Sequence, residues 1–282
     1  MTLPIPRRFL VAVSLAVLVL SVDEDRASAE PGNDLRAAAE LRRPVAMALD
    51  RQGKRLFVAN RCGSVSIIDV GSRTVAAEFP LGARLAHLVR LKKRNVFLAV
   101  DEAANELIVF RSKADSLETV ARLGIKGTPV RVTASADESR CHVSCLWSRR
   151  LVIVDLTSLE NPRIAKSLPL PFSPRGQLPL PARNQLVVTD SFGGWLAILD
   201  LKADRILASR ELDAHNIRGM ALSNDGSKIL LPAQVLSPEY ATTQGSVHWG
   251  NVMSNVVREL DVDSLAVGRP ELTASQNAHY LG

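Results

Sequence analysis

The sequence predicts an all-β fold built from four-stranded units, and three repeated features indicate it. First, a segment of 40 to 45 residues recurs, with a short apolar marker beginning at residues 57, 97, 142, 187 and 230. Second, a further apolar marker, usually closed by an acid, follows each of these at about the same distance. Third, a turn sequence precedes the first marker in most units. A repeat of this length with four strands per unit is typical of propeller blades.

The markers predict strands rather than helices. The first marker often ends in a polar residue, as in Phe-Val-Ala-Asn at 57–60 and Val-Val-Thr-Asp at 187–190. The turns before the markers at 57 and 230 contain Gly53 and Gly226, which supply the positive φ that tight hairpins require. Beyond the first thirty residues, helical spacing is suggested only in the Ala-rich stretch 34–41. The second markers occupy residues 67–70, 108–110, 152–155, 197–200 and 258–261.

Five units fit between residues 43 and 267, and they predict a β-propeller of four-stranded blades. Radial closure takes about four to eight blades, each burying its faces on its neighbours. Either a small propeller closes with five blades, or these are the visible blades of an incomplete seven-bladed propeller, which we favour. Residues 30–42 are predicted to be a linker, and residues 268–282, which lack the strand pattern, an irregular C-terminal tail.

The first 29 residues have the pattern of a secretory signal peptide. Arg7 and Arg8 precede an apolar run over 9–22, and the small residues Ala27 and Ala29 flank Ser28 before the expected cleavage site. The run is too short to span a membrane, so no membrane-spanning segment is expected. The sequence therefore predicts a periplasmic or extracellular protein.

Charge and cysteine content exclude other classes of protein. The 35 basic and 29 acidic residues are scattered, which argues against nucleic-acid binding despite the net charge of +6. Three cysteines are too few for a disulfide scaffold. Cys141 and Cys145 share one face of an extended strand but lie ~13 Å apart, too far for one metal ion. We expect ordinary buried cysteines, and no metal site is predicted.

The markers at 57–60 and 187–190 resemble the Tyr-Val-Thr-Asn signature of the YVTN β-propellers, which are exported or surface proteins of bacteria. The resemblance covers residues 43–265. A long insertion in the fifth unit, 242–255, looks like the Thr-Thr-Gln, Trp and paired-Asn segment of YVTN propellers that precede a di-haem cytochrome c region of the peroxidase type. The resemblance implies a haem c cofactor downstream, but this chain has no Cys-x-x-Cys-His motif. The implied redox activity cannot reside in these residues.

Candidate ligand-binding residues lie in and before the insertion. Loops longer than a repeat requires are usually kept for binding, and propellers commonly bind at one mouth of the central channel. Alternatively, the insertion's tryptophan plugs the core and its asparagines cap turns. The candidate residues are His215, Arg218, His248, Trp249, Asn251 and Asn255.

The sequence predicts no catalytic residue, since the common catalytic motifs are missing. The function expected first is an exported, non-catalytic propeller module that binds a protein or small ligand at its mouth. The alternative is the propeller part of a larger di-haem cytochrome c peroxidase-like or electron-transfer protein, truncated at residue 282. A third possibility is a non-functional gene remnant.

Overall fold

The computed structural model describes residues 42–113 and 116–265, together with the backbone of 278–280. These residues form five four-stranded antiparallel sheets, in which neighbours in sequence are also neighbours in the sheet. The sheets are the blades of a β-propeller, which confirms the predicted all-β fold. The predicted signal peptide and all but the last residue of the predicted linker lie outside the described residues.

The blades follow one another along the chain. Blade 1 contains β1 (Pro44–Leu49), β2 (Arg55–Asn60), β3 (Ser64–Asp69) and β4 (Thr74–Pro80). Blade 2 contains β5 (Leu85–Leu91), β6 (Val96–Asp101), β7 (Glu106–Ser112) and β8 (Leu117–Gly124). Blade 3 contains β9 (Pro129–Ala134), β10 (Arg140–Cys145), β11 (Arg150–Asp155) and β12 (Arg163–Pro169). Blade 4 contains β13 (Pro174–Leu180), β14 (Gln185–Asp190), β15 (Trp195–Asp200) and β16 (Arg205–Glu211). Blade 5 contains β17 (Ala221–Leu222), β18 (Lys228–Leu236), β19 (Met253–Asp261) and β20 (Ala278–Tyr280).

Short helical segments complete the described chain. A five-residue helix, α1 (Gln244–His248), lies between β18 and β19, and 3-10 turns occur at Pro181–Arg183 and Val262–Leu265. The two sequence markers of each repeat are the second and third strands of its blade. The turns before the second strands contain residues of positive φ, among them Gly53 and Gly226 as predicted.

The prediction of an irregular tail over 268–282 is corrected at Ala278–Tyr280. These three residues form β20, which pairs antiparallel with Val256, Val257 and Arg258 of β19 and completes blade 5. The segment was missed because three residues are too few to show an alternating pattern. The remainder of the predicted tail lies outside the described residues.

One end of the blades carries both the loops between second and third strands and the connections between blades, because antiparallel strands alternate in direction. We call this end the loop face. Backbone hydrogen bonds join the two kinds of loop: Ser191 N–H donates to Ser173 O at 2.8 Å, and Leu212 N–H donates to Gly194 O at 3.1 Å. Each blade is thereby tied to a neighbour by main-chain contacts at this end.

Four apolar cores hold successive blades together, and each contains side chains of two adjacent blades. In the core between blades 1 and 2, Phe97 packs against Phe57 at 4.3 Å and Phe110 at 5.3 Å between ring centroids. Among the described residues, no such core joins blade 5 to blade 1. The face of β1 that points away from blade 2 instead exposes three apolar side chains, Val45, Met47 and Leu49.

None of the helices in the described residues is both long and apolar enough to cross a membrane.

Candidate functional site

All six predicted ligand-binding residues lie toward the loop face of blade 5. His215 and Arg218 belong to the connection from blade 4, and Asn255 lies in β19. His248, Trp249 and Asn251 lie in the insertion between β18 and β19. The topology thus places the six residues at one end of one blade.

Gln234 of β18 connects three segments of the predicted site. Its backbone forms a pair of hydrogen bonds with His215, at 2.7 and 2.8 Å. Its side-chain oxygen accepts from Asn216 Nδ2 at 3.0 Å, and its Nε2 donates to Asn255 Oδ1 at 3.3 Å. Arg218 follows on the same connection, where its backbone N–H donates to Pro232 O at 3.3 Å. The structure therefore brings His215, Arg218 and Asn255 onto one hydrogen-bonded ribbon.

The insertion carries its predicted residues outward. Thr243 caps α1 by accepting from Ser246 N–H at 3.1 Å. The rings of His248 and Trp249 meet edge to face at 5.4 Å, and Trp249 is 78% exposed. The alternative in which Trp249 plugs the core is therefore wrong. The described contacts do not join this pair to the ribbon around Gln234.

A groove of about 960 Å³ opens on the loop face between blades 3, 4 and 5. His215 lies at one of its walls, and the other walls come from the loops of blades 3 and 4. Its lining combines apolar rings with charges of both signs. These side chains are Phe172, Phe192, Trp195, Arg149, Arg210, Asp190, Glu211 and Asp213.

An exposed aromatic pair lies at the groove. Trp147, in the loop after β10, stacks on Phe192, in the loop after β14, with ring centroids 5.7 Å apart. The two side chains are 65% and 54% exposed. Sequence reasoning missed them, although both residues stand two positions after the end of a first marker. Aligning the loops that follow the markers would have placed them together.

The groove floor depends on two short-range features. Asp190, at the end of β14, accepts from the backbone N–H groups of Phe192 at 3.3 Å and Gly193 at 2.9 Å, which orders the loop that carries Phe192. A Cβ on Gly194 would lie 2.0 Å from Leu212 O, so only glycine allows this close approach. The loop and the next blade connection are therefore held in contact.

A second, smaller cavity of about 200 Å³ lies where the first strands of the blades converge, at the central channel. Residues from blades 1 to 4 and from the connection to blade 5 line it, including Arg218, which is the one predicted site residue found there. Four of the first strands carry a β-bulge just after their first residue. The bulged positions all line the cavity: Val45, Ala86, Val130 and Arg175. Sequence repeats do not show these bulges, because they are irregularities of pairing.

The cysteines lie away from both cavities. Cys141 and Cys145 are fully buried in the core between blades 2 and 3, and burial raises the pKa of both thiols, that of Cys145 to about 12. His142 lies between them in β10, but it lines a groove on the opposite side of the blade and is not part of that core. In the described part of the chain, no group of three His, Cys, Asp or Glu side chains is placed to hold a metal ion.

No protein-family model matches the chain, and no curated protein matches its sequence. Solved structures match its fold. Hydrazine synthase of Kuenenia stuttgartiensis superposes with a TM-score of 0.70 at 17% identity, over 79% of this chain and 64% of that one. The present chain thus spans less than two thirds of that protein's length.

Two further structures have the same architecture at lower similarity. The β-propeller domain of Cps50 (Swd1) from Myceliophteria thermophila has a TM-score of 0.55 at 13% identity, covering 71% of this chain and 67% of that one. A protein of unknown function from Desulfotomaculum acetoxidans has a TM-score of 0.56 at 13% identity, covering 69% and 68%. Likeness at these identities shows the propeller fold alone.

Proposed function

We propose that this chain is an exported, non-catalytic β-propeller of the YVTN type that binds a partner in the groove on its loop face. The observation that carries the proposal is the stacked pair of Trp147 and Phe192, exposed beside a groove of about 960 Å³. Exposed aromatic rings are enriched at the energetic centres of protein interfaces. Burying aromatic side chains of this size against a partner contributes favourably to the free energy of binding.

The mixture of groups in the groove favours a protein partner over a small ligand. Phe192 and Trp195 offer apolar contacts, while Arg149 and Glu211 offer charges of both signs along the rim. Protein interfaces combine an apolar centre with a polar rim in this way.

The hydrogen bonds of the groove carboxylate at Asp190 give it a structural role in its loop. Both of its oxygens accept from loop N–H groups, so the side chain supports the loop instead of facing a substrate. A general acid or base would need its proton-transfer atom within reach of a bound reactant.

Site-specific photo-crosslinking in the native cells tests the proposal. A photoreactive amino acid at position 192 or 147 is expected to give a discrete adduct with one partner. The same residue at position 51, in the turn between β1 and β2 at the opposite end of blade 1, is the matched control and should give none. Equal labelling at all three positions, or no adduct at 147 and 192, would contradict binding in the groove.

Export rests on the pattern of residues 1–29, and the mass of the processed chain tests it. Expression of the full chain in a bacterium with a periplasm should yield a periplasmic product that begins at Glu30. Recovery of the uncleaved chain from the cytoplasm would contradict the signal peptide.

The second candidate is the propeller portion of a larger di-haem cytochrome c protein, and two observations favour it. Hydrazine synthase, an enzyme by its name, has the same fold in a longer chain. The outward face of β1 also exposes Val45, Met47 and Leu49, as expected if further blades of a seven-bladed propeller cover it.

This chain does not itself fit haem c. Covalent attachment takes a Cys-x-x-Cys-His motif, whereas Cys141 and Cys145 are four positions apart and fully buried. The intact mass and absorption spectrum of the protein isolated from its own cells decide between the candidates. A Soret band on a much larger species supports the second, and a haem-free species near the mass of the cleaved chain supports the first.

A further inference from the structure

The central-channel cavity concentrates positive charge. Four guanidinium groups line it, and Glu102 is the one carboxylate among its lining residues. Glu102 is already engaged, because its Oε1 lies 2.7 Å from Arg61 and 2.9 Å from Arg84. The lining guanidinium groups belong to Arg61, Arg131, Arg175 and Arg218.

Three of these guanidinium groups lack a carboxylate partner within the described residues. Arg175 donates from Nε to Ser191 Oγ at 3.0 Å, a neutral acceptor. Burial lowers the pKa of Arg175, and the charges of Arg218 and Arg61 lower it further while Glu102 opposes them. Burial also lowers the pKa of Arg131. The cavity therefore gathers unneutralised cations that repel one another, an arrangement that an anion relieves.

Polar atoms inside the cavity wall are also left without partners. Arg131 Nε, His87 Nδ1 and Gln177 Oε1 have no hydrogen-bond partner and almost no exposure to solvent. Burial and then Arg131 lower the pKa of His87 to about 3, so its ring is neutral. The cavity wall thus contains one unpaired buried donor, Arg131 Nε, and one unpaired buried acceptor, Gln177 Oε1, and leaving such groups unpaired is costly.

We propose that the central channel binds a small oxyanion that carries a hydroxyl group, such as a hydroxycarboxylate or hydrogen phosphate. The anionic oxygens accept from the guanidinium groups of Arg131, Arg175 and Arg218. The hydroxyl donates to Gln177 Oε1. A volume of about 200 Å³ admits a ligand the size of several water molecules and excludes a polypeptide. This site is separate from the groove with Trp147 and Phe192 and does not depend on the proposed function.

Calorimetric titration of the purified chain with lactate, propionate and inorganic phosphate, at constant ionic strength set with chloride, tests the proposal. Lactate and phosphate should bind with a stoichiometry of one. Lactate should bind at least fivefold more tightly than propionate, which has the same carboxylate and no hydroxyl. Equal affinity for lactate and propionate would overturn the hydroxyl contact.

Variants locate the site. Arg218→Gln and Arg175→Gln are each expected to weaken lactate binding about tenfold, and the double variant to abolish it. Arg51→Gln is the matched control, since it removes one positive charge from an exposed turn far from the channel, and its affinity should stay within twofold. Unchanged affinity in both channel variants, or the same loss in Arg51→Gln, would overturn the proposal.

A stability readout separates binding from a structural role. Arg218 has an exposed side chain for which the described contacts show no hydrogen bond or ion pair. Without ligand, Arg218→Gln should melt at the same or a higher temperature than the parent chain, because it removes repulsion from Arg175. With lactate, only the parent chain should gain thermal stability. A lower melting temperature of Arg218→Gln in ligand-free buffer would mean that the arginine supports the fold and would overturn its role in the site. Variants at Trp147 and Phe192 should bind lactate normally, so the two proposals can fail independently.

Discussion

The polar residues that end the second strands support the loop face. Asn60 Nδ2 donates to Ser64 Oγ at 3.0 Å and Ser66 Oγ at 2.8 Å, and Asp190 accepts from its own loop. Asp101 makes more of these contacts, because its buried carboxylate accepts from four backbone N–H groups, two of them in the connection from blade 1. These contacts explain why the second strands often close on a polar residue.

Replacing Asp101 with Asn should lower the free energy of unfolding by about 1–3 kcal/mol, the range for a buried donor left unsatisfied. Both carboxylate oxygens accept, so the amide of the variant must turn its NH₂ group toward a backbone N–H. Urea unfolding measures the change. Glu239→Gln, at an exposed position in the loop after β18, is the control and should change the free energy of unfolding by less than about 0.5 kcal/mol. An unchanged free energy of unfolding in Asp101→Asn would contradict the role of Asp101 in linking blades 1 and 2.

Low pH should destabilise the folded chain through two turns of similar sequence, which contain Asp137 and Asp225. Hydrogen bonds from Ser135 and then Ser139 lower the pKa of Asp137 to about 2, and Ser223 and Ser227 do the same for Asp225. A pKa depressed in the folded state contributes stability above the unfolded value, roughly 3.9, and this stability is lost as pH falls toward 2. The melting temperature should therefore drop between about pH 4 and pH 2. The double variant Asp137→Asn, Asp225→Asn should show a shallower drop, and an equal slope would contradict this origin.

Strands were predictable where the sequence repeats and unpredictable where pairing is irregular. The second and third strands of each blade, such as β2 and β3, are continuous apolar runs that the markers locate. Strand β17 has only two residues, and β20 pairs over three, so neither has a pattern to detect. Contacts between loops also leave no pattern in the sequence, as the stacking of Trp147 on Phe192 across two blades shows.

The contact between the β14–β15 loop and the next blade connection can be tested at Gly194. Alanine there would place its Cβ 2.0 Å from Leu212 O and 2.5 Å from Ala214 O, so the two loops must separate. We expect a loss of about 1–3 kcal/mol in unfolding free energy, together with weaker crosslinking at position 192. Gly124→Ala, where a Cβ meets nothing within 4 Å, is the matched control and should be nearly neutral. Equal behaviour of the two variants would contradict the close contact.

At the scale of the molecule, the candidate sites are products of blade assembly. His215 and Arg218 were predicted from their place before the insertion, yet one reaches the groove and the other the channel. Arg61, Arg131 and Arg175 come from three different blades and share no motif, so nothing in the sequence joins them. Their convergence follows from the blades packing around one axis, which a linear pattern does not encode.

The exposed face of β1 provides the last prediction, because it reports whether anything covers blade 1 in the native protein. Met47 is 67% exposed, so Met47→Gln in this chain should change the free energy of unfolding by less than about 0.5 kcal/mol. Leu98→Ala, in the core between blades 2 and 3, should cost about 2–5 kcal/mol and calibrates the measurement. A loss above about 1 kcal/mol for Met47→Gln would show that this face is covered in solution. Met47→Gln could leave the free energy of unfolding of this chain unchanged and yet lower that of the species isolated from its own cells. In that case the native protein supplies the covering surface, as the larger-protein candidate requires.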